Sequence, residues 1–239
     1  MAIPQREFGR TGWQVSEIGF GAWAIGGAWG EVREDDARAT LHAALDAGMT
    51  FLDTADVYGD GRSERLIRGV LDARGLLGRP PGERPIVATK AGRRLDPHVA
   101  EAYTEAALRD FVDRSRDNLG MDTLDLLQLH CPPRPVYEHP GVFEALDRLA
   151  GEGRIRHWGV SVETVEEARR ALDRPGLASI QIIYNLFRQK PAESVFAEAR
   201  ARGVAVIVRV PLASGLLTGK MDAQSMCAAD DHRSFNREG

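Results

Sequence analysis

FLDTADVYGDGRSERL, residues 51–66, is the stretch from which the rest of the chain can be read. Thr50, Phe51 and Leu52 have the character of a buried strand, charge enters at Asp53, and Tyr58 stands just before a glycine-rich turn. A helix is expected next, with Ser63 as N-cap and Leu66, Ile67, Val70 and Leu71 on one face. An ionisable residue where a buried strand becomes a loop is costly in a core and useful in a pocket. The stretch therefore predicts one wall of an active site.

Working outward, residues 7–20 read as a short hairpin around Gly9-Arg10-Thr11-Gly12, followed by a first core strand over 18–25. Further strands are expected near 50–53, 85–90, 124–130, 157–161, 178–185 and 204–210. Between them lie amphipathic stripes at 34–47, 141–150 and 192–202, with Gly48 and Gly203 as stops. Leu108, Phe111, Val112, Ser115 and Leu119 form another stripe, closed by Gly120. Thr164 and Glu167 make a capping box ahead of Ala168, Ala171 and Leu172.

Repeated strand-then-helix units imply a parallel sheet covered by helices, either a closed barrel or an open doubly wound sheet. The only dinucleotide-fold glycine signal is Gly19-x-Gly21-x-x-Ala24, which should open a helix at once. The next helical stripe begins only near Glu34, and that favours the barrel.

With 239 residues, 43% hydrophobic and 28% charged, the chain has material for one core, and residues 1–239 are expected to form a single domain. A net charge of −4 gives no electrostatic reason to expect nucleic acid. The N-terminus lacks a basic segment followed by an apolar one, and no apolar run is long enough for a membrane span, so a cytoplasmic location is expected. Cys131 and Cys227 lack the spacing of a zinc site and read as free thiols, with no metal implied. The oligomeric state stays open.

The D-T-A-x-x-Y-G element at 53–59 resembles that of the aldo-keto reductase family. The resemblance extends through VATKAG at 87–92, LDLLQLHCPP at 124–133, GRIRHWGVSVET at 153–164, IQIIYNLF at 180–187 and VPLASGLLTGK at 210–220. It implies an α/β fold, the (β/α)8 TIM barrel of aldo-keto reductase type with an N-terminal hairpin. About seven of the eight strands are found, and 221–239 reads as a polar tail. The family's last helix, strand and helix are then missing, so strands one and seven should keep unpaired edges.

The resemblance also implies a catalytic tetrad of Asp53, Tyr58, Lys90 and His130 and reduction of an aldehyde or ketone by hydride from NADP(H), with NAD(H) not excluded. The residue types suit that chemistry. A phenol can protonate a developing alkoxide if its pKa of ~10 is lowered toward neutrality, a shift of ~3 units or about 4 kcal/mol. An ammonium ~4 Å away supplies ~1 kcal/mol through water but ~4 at an effective dielectric of ~20, so the pair needs a dry site. Asp53 would keep Lys90 protonated against burial, and His130 would hydrogen-bond the substrate carbonyl.

For the cofactor, the resemblance implies Gly21, Ala22 and Trp23, together with Asp53, beside the nicotinamide, and Ser161 and Gln181 on its carboxamide. Val162 stands where the family often has Asn. Arg209 replaces a stacking aromatic ring; a guanidinium can stack too, or it can pair with a carboxylate at the barrel mouth. Leu212, Ser214, Gly215 and Leu216 match the loop along the pyrophosphate, with Lys220 adding charge. Trp29 and Tyr103 could line the substrate mouth, and Arg93-Arg94 and Arg169-Arg170 read as solvated faces, with phosphate contact as the lesser alternative. The rival readings are a cofactor-binding regulatory protein on the same scaffold and an inert fragment.

Overall fold

The computed structural model describes residues 3–27, 32–222 and 225. An antiparallel hairpin comes first, β1 (Gln5–Glu7) with β2 (Gln14–Ser16). Seven strands then pair in parallel, each beside the next in sequence: β3 (Phe20–Gly21), β4 (Phe51–Asp53), β5 (Ile86–Ala91), β6 (Leu124–His130), β7 (Ile155–Ser161), β8 (Leu177–Ile183) and β9 (Ala205–Arg209). The helices between them are α1 (Glu34–Asp46), α2 (Arg62–Ala73), α3 (Glu105–Leu119), α4 (Pro140–Gly151), α5 (Val165–Leu172), and the short pair α6 (Lys190–Glu193) and α7 (Val195–Ala201).

Strictly sequential strand order has no reversal point, which rules out the doubly wound sheet. The seven strands form a curled half-barrel, the (β/α)8 architecture expected from the sequence, with β3 and β9 as its edges among the described residues.

The pleat sorts the sheet's residues into two layers. Leu52, Val87, Leu127, Val160 and Ile180 join the main core under the helices. Phe51, Ile86, Ala88, Leu126 and Ala205 point to the other face and pack with Phe8 and Val15 of the hairpin region. The Phe8 and Phe51 rings stack at 5.2 Å, and Trp13 meets His157 edge-on at 4.7 Å, so the hairpin plugs the amino end of the half-barrel. Residues of the same parity farther along the strands are Asp53, Lys90, Gln128, His130, Ser161, Gln181 and Arg209. The inner face is thus apolar at the amino end and polar at the carboxyl end.

Three local expectations are corrected. The first core strand is two residues long rather than 18–25, because the chain leaves the sheet after Gly21 and winds into a 3-10 turn at Ala24–Gly26 that lies on the Tyr58 loop. The approach is close enough to require glycine on both sides. A Cβ at Gly26 would lie 2.9 Å from the Tyr58 carbonyl carbon, and one at Gly59, whose φ is +59°, would lie 2.2 Å from the Gly26 oxygen. Ser63 does not cap α2; Gly61, in the left-handed region, precedes the helix. Ser63 is buried in the first turn, where its hydroxyl accepts from Thr54 Oγ1 at 2.8 Å and donates to the Ala22 carbonyl at 2.9 Å. Its oxygen serves tertiary closure instead of the helix end.

The Thr164–Glu167 capping box forms as expected, and Gly120 ends α3 in the left-handed conformation. The helix expected at 192–202 is broken at Ser194, whose backbone is not helical.

At the amino ends of the strands, Arg84 grips Asp125 with both guanidinium nitrogens, at 2.5 and 2.9 Å, and the Val87 N–H donates to the same carboxylate at 3.0 Å. Asp125 is fully buried. Asp125→Ala leaves a buried guanidinium unpaired and is expected to lower stability by about 3–5 kcal/mol in urea unfolding; a loss under ~1 kcal/mol would show that the pair is idle.

Candidate active site

Lys90 is 1% exposed, the kind of burial an ammonium tolerates only with full compensation. Its Nζ donates to Asp53 Oδ1 at 2.6 Å and to the Thr54 carbonyl at 2.8 Å, and lies 5.2 Å from the centre of the Tyr58 ring. Burial is the largest single influence on Lys90 and opposes its charge. The Asp53 carboxylate and the Tyr58 phenol together outweigh it and hold the lysine above its ordinary value.

The other Asp53 oxygen accepts from Gln181 Nε2 at 2.8 Å and Gln128 Nε2 at 3.3 Å. Gln128 is two residues before His130 on the same strand, and alternation alone would have placed it in the site. Tyr58 sits between aromatic neighbours: His130 meets it edge-on at 5.8 Å, and Trp23 stacks on it at 6.1 Å.

The electrostatics correct one sequence expectation. Tyr58 is not drawn toward neutrality, because burial, the leading cause, raises its pKa more than Lys90 lowers it. The phenol therefore holds its proton throughout the neutral range. His130 is pushed well below the usual histidine range, first by burial and then by the positive charges of Lys90, Arg93 and Arg209. It is a neutral imidazole, with Nδ1 buried and unpartnered.

These groups open onto a cavity of about 1190 Å3. Asp53, Tyr58, His130, Ser161, Gln181 and Arg209 line it, as do Gly21, Trp23, Leu212, Ser214 and Gly215 of the expected cofactor set. Lys90 lies behind that wall. Ala22 is fully buried, its N–H donating to the Asp53 carbonyl at 2.8 Å. Leu216 is exposed, and neither it nor Lys220 reaches the cavity.

Ser161 and Gln181 are adjacent, Oγ to Oε1 at 3.5 Å. Arg209 donates to the Val162 carbonyl at 3.1 Å and approaches Cys131 Sγ at 3.7 Å. The carboxylate partner considered for it is not found among the described residues. Tyr103 is buried away from the cavity, with its hydroxyl 2.8 Å from His98 Nε2. Trp29 and Cys227 lie outside the described residues. The loop after β9 carries three residues other than glycine at positive φ, Val210, Ala213 and Ser214, a concentration of strain typical of ligand-holding segments.

The aldo/keto reductase family model matches residues 17–238. The chain belongs to this family. It is 34% identical to aldo-keto reductase YhdN of Bacillus subtilis over 230 residues, which are 95% of this chain and 67% of that protein. Among solved structures it resembles aldo-keto reductase AKR11C1 from Bacillus halodurans in its holo form, with a TM-score of 0.79 at 30% identity, covering 94% of this chain and 72% of that one. It also resembles an aldo-keto reductase from Klebsiella pneumoniae in complex with NADPH, with a TM-score of 0.73 at 27% identity, covering 90% and 70%. Its relatives are oxidoreductases, and no helix among the described residues is long and apolar enough to cross a membrane.

One buried acid within the opening stretch escaped the sequence reading; it packs behind the cavity wall. Asp56 is fully buried, and neither carboxylate oxygen has a hydrogen-bond partner. Its N–H donates to the Lys90 carbonyl at 3.2 Å. Burial foremost, then Glu64, pushes its pKa up to about 7, while Arg94 and Arg114 pull the other way. In the unfolded chain Asp56 ionises near its ordinary value; in the fold it keeps its proton until about pH 7. Its favourable contribution is complete at low pH and lost as pH rises through that interval. Asp56→Asn abolishes this loss, so its stability relative to wild type should rise by about 2–3 kcal/mol between pH 5 and 8 in paired urea titrations. A difference independent of pH would contradict the assignment.

Proposed function

We propose that this aldo-keto reductase reduces an aldehyde or ketone to the alcohol, with Tyr58 as general acid. The observation that carries this reading is the buried, charged Lys90 held between the Asp53 carboxylate and the Tyr58 ring. Bound NADPH would supply the hydride, delivered to the carbonyl carbon.

The cavity suits such a dinucleotide. It is large, and the Ser161 and Gln181 side chains of its wall supply hydrogen-bonding groups for a carboxamide. The strained loop at Ser214 and Gly215 forms another wall, where backbone can approach a phosphate closely. Gly21 and Trp23 would border the nicotinamide and Arg209 would lie near it. Leu212 would border the pyrophosphate. The preference for NADPH over NADH follows relatives such as the Klebsiella protein.

As the carbonyl oxygen gains charge, the Tyr58 O–H gives it a proton. A pKa above 10 is no obstacle, since an alkoxide is a far stronger base than a phenolate. The resulting phenolate sits beside the Lys90 ammonium, whose charge and hydrogen bond both favour it. A neutral His130 can donate one N–H to the same carbonyl oxygen and fix its position. Asp53 keeps the ammonium charged, and Gln128 and Gln181 hold Asp53. The proton lost by Tyr58 returns from solvent through the open mouth.

With a panel of aldehydes, the protein is expected to consume NADPH, followed by nicotinamide absorbance. Tyr58→Phe should lower kcat by roughly 10²–10⁴ with NADPH affinity retained. Turnover by Tyr58→Phe at the wild-type rate would exclude Tyr58 as the acid. Lys90→Met should remove turnover comparably, and an unaffected rate would detach Lys90 from the chemistry.

A further inference from the structure

The mouth of the cavity carries more positive charge than carbonyl reduction requires. Lys90 and Asp53 neutralise each other inside. At the rim, Arg93 and Arg209 lie near His130, and Glu163 pairs with Arg93 alone among the described residues. Both guanidiniums are close enough to depress the proton affinity of His130, so both project field onto the place where a carbonyl oxygen would bind.

The two arginines are held differently. Arg209 is half-buried and anchored to the Val162 carbonyl. Arg93 follows β5; its Nε donates to the His130 carbonyl at 3.3 Å, which fixes the base of the guanidinium beside the site. Its outer edge meets Glu163 Oε1 at 3.4 Å, with side chains 42% and 61% exposed. So long and exposed an ion pair is worth less than a charge-assisted hydrogen bond to an anion bound in the cavity. An incoming anion can therefore displace Glu163 from Arg93. From the sequence alone Arg93 and Arg94 read alike, as solvated side chains or phosphate contacts. Arg94 pairs with Asp60, whereas Arg93 lines the cavity.

The geometry points to Arg93 as the residue that selects carbonyl substrates bearing a carboxylate, with Glu163 occupying its guanidinium until such a substrate arrives. The inference rests on the carbonyl-reducing reading above and deepens it by naming the substrate class. The substrate places its carbonyl between Tyr58 and His130 and its carboxylate at the rim on Arg93, while Arg209, which has no carboxylate partner among the described residues, adds positive charge to the same mouth. A neutral aldehyde leaves the Arg93–Glu163 pair in place and gains nothing from it.

The test compares 4-carboxybenzaldehyde with its methyl ester, which match in ring and carbonyl and differ in charge. Wild-type kcat/KM should favour the acid by roughly tenfold. Arg93→Gln should bring the ratio to near parity, and Glu163→Gln, which frees Arg93, should raise it by about threefold. A merely structural role would not move the two variants in opposite directions.

No preference in the wild type, equal losses for both aldehydes in Arg93→Gln, or a ratio unchanged in Glu163→Gln overturns the proposal. An Arg93→Gln variant that loses NADPH affinity in fluorescence titration but keeps its acid preference overturns it too, by placing a cofactor phosphate on Arg93. Tryptophan-fluorescence titration with the two aldehydes reads the same preference without turnover. Selective binding of the acid with reduction of neither would refute the reaction and uphold Arg93.

Discussion

The structure is organised around a lysine shut away from the surface. At 1% exposure, the Lys90 ammonium survives only because Asp53 lies 2.6 Å away and the Thr54 carbonyl 2.8 Å away. Taking two charges out of solvent costs several kcal/mol per ion unless the remaining hydrogen-bonding capacity is filled. Here Gln128 and Gln181 fill it on the carboxylate side. The segment from Asp53 to Tyr58 wraps the lysine: a side chain at 53, a carbonyl at 54, an N–H at 56 and a ring at 58 all turn toward residue 90. This explains why six consecutive residues carry so much of the site. They enclose one charge.

The curled sheet makes that enclosure possible. Its inner face changes character along the strands, from Phe51, Ala88 and Leu126 packed on the hairpin to Asp53, Lys90, Gln128 and His130 at the cavity. The cavity runs from the hairpin, at Phe8 and Val15, along the inner face to that polar half at the carboxyl end. Barrel enzymes place their chemistry at this end, where strand termini are rigid and loops are free to vary. The 3-10 turn after β3 and the glycine contacts at 26 and 59 then press Trp23 onto Tyr58, limiting how the phenol can move.

Strand-borne features were legible in the sequence. Asp53, Lys90, His130, Ser161, Gln181 and Arg209 fall at strand ends with one parity, and a period of two places all of them on one face. The seven core strands and the Thr164–Glu167 cap followed from patterning of the same local kind. Balances between opposing effects were not legible. The family resemblance suggested that Lys90 would draw down the phenol of Tyr58, but burial of that ring depends on tertiary packing, and burial prevails. Ser63 looked like a cap because capping is a local signal, whereas its partners, Thr54 and Ala22, are tertiary. The burial of Asp56 and Tyr103 and the distance of Leu216 and Lys220 from the cavity depend likewise on loop paths that no periodicity encodes.

The charge on Lys90 can be measured directly, because the chain has only three lysines, Lys90, Lys190 and Lys220. NMR titration of protein labelled with [13C]lysine, with Lys90 assigned by comparison with Lys90→Arg, reads its protonation in wild type and in Asp53→Asn. The account predicts that Lys90 titrates above the ordinary lysine value in wild type and falls below it when Asp53 is neutralised, since burial, the largest influence, then loses its strongest opponent. An ordinary titration that Asp53→Asn leaves unmoved would contradict it.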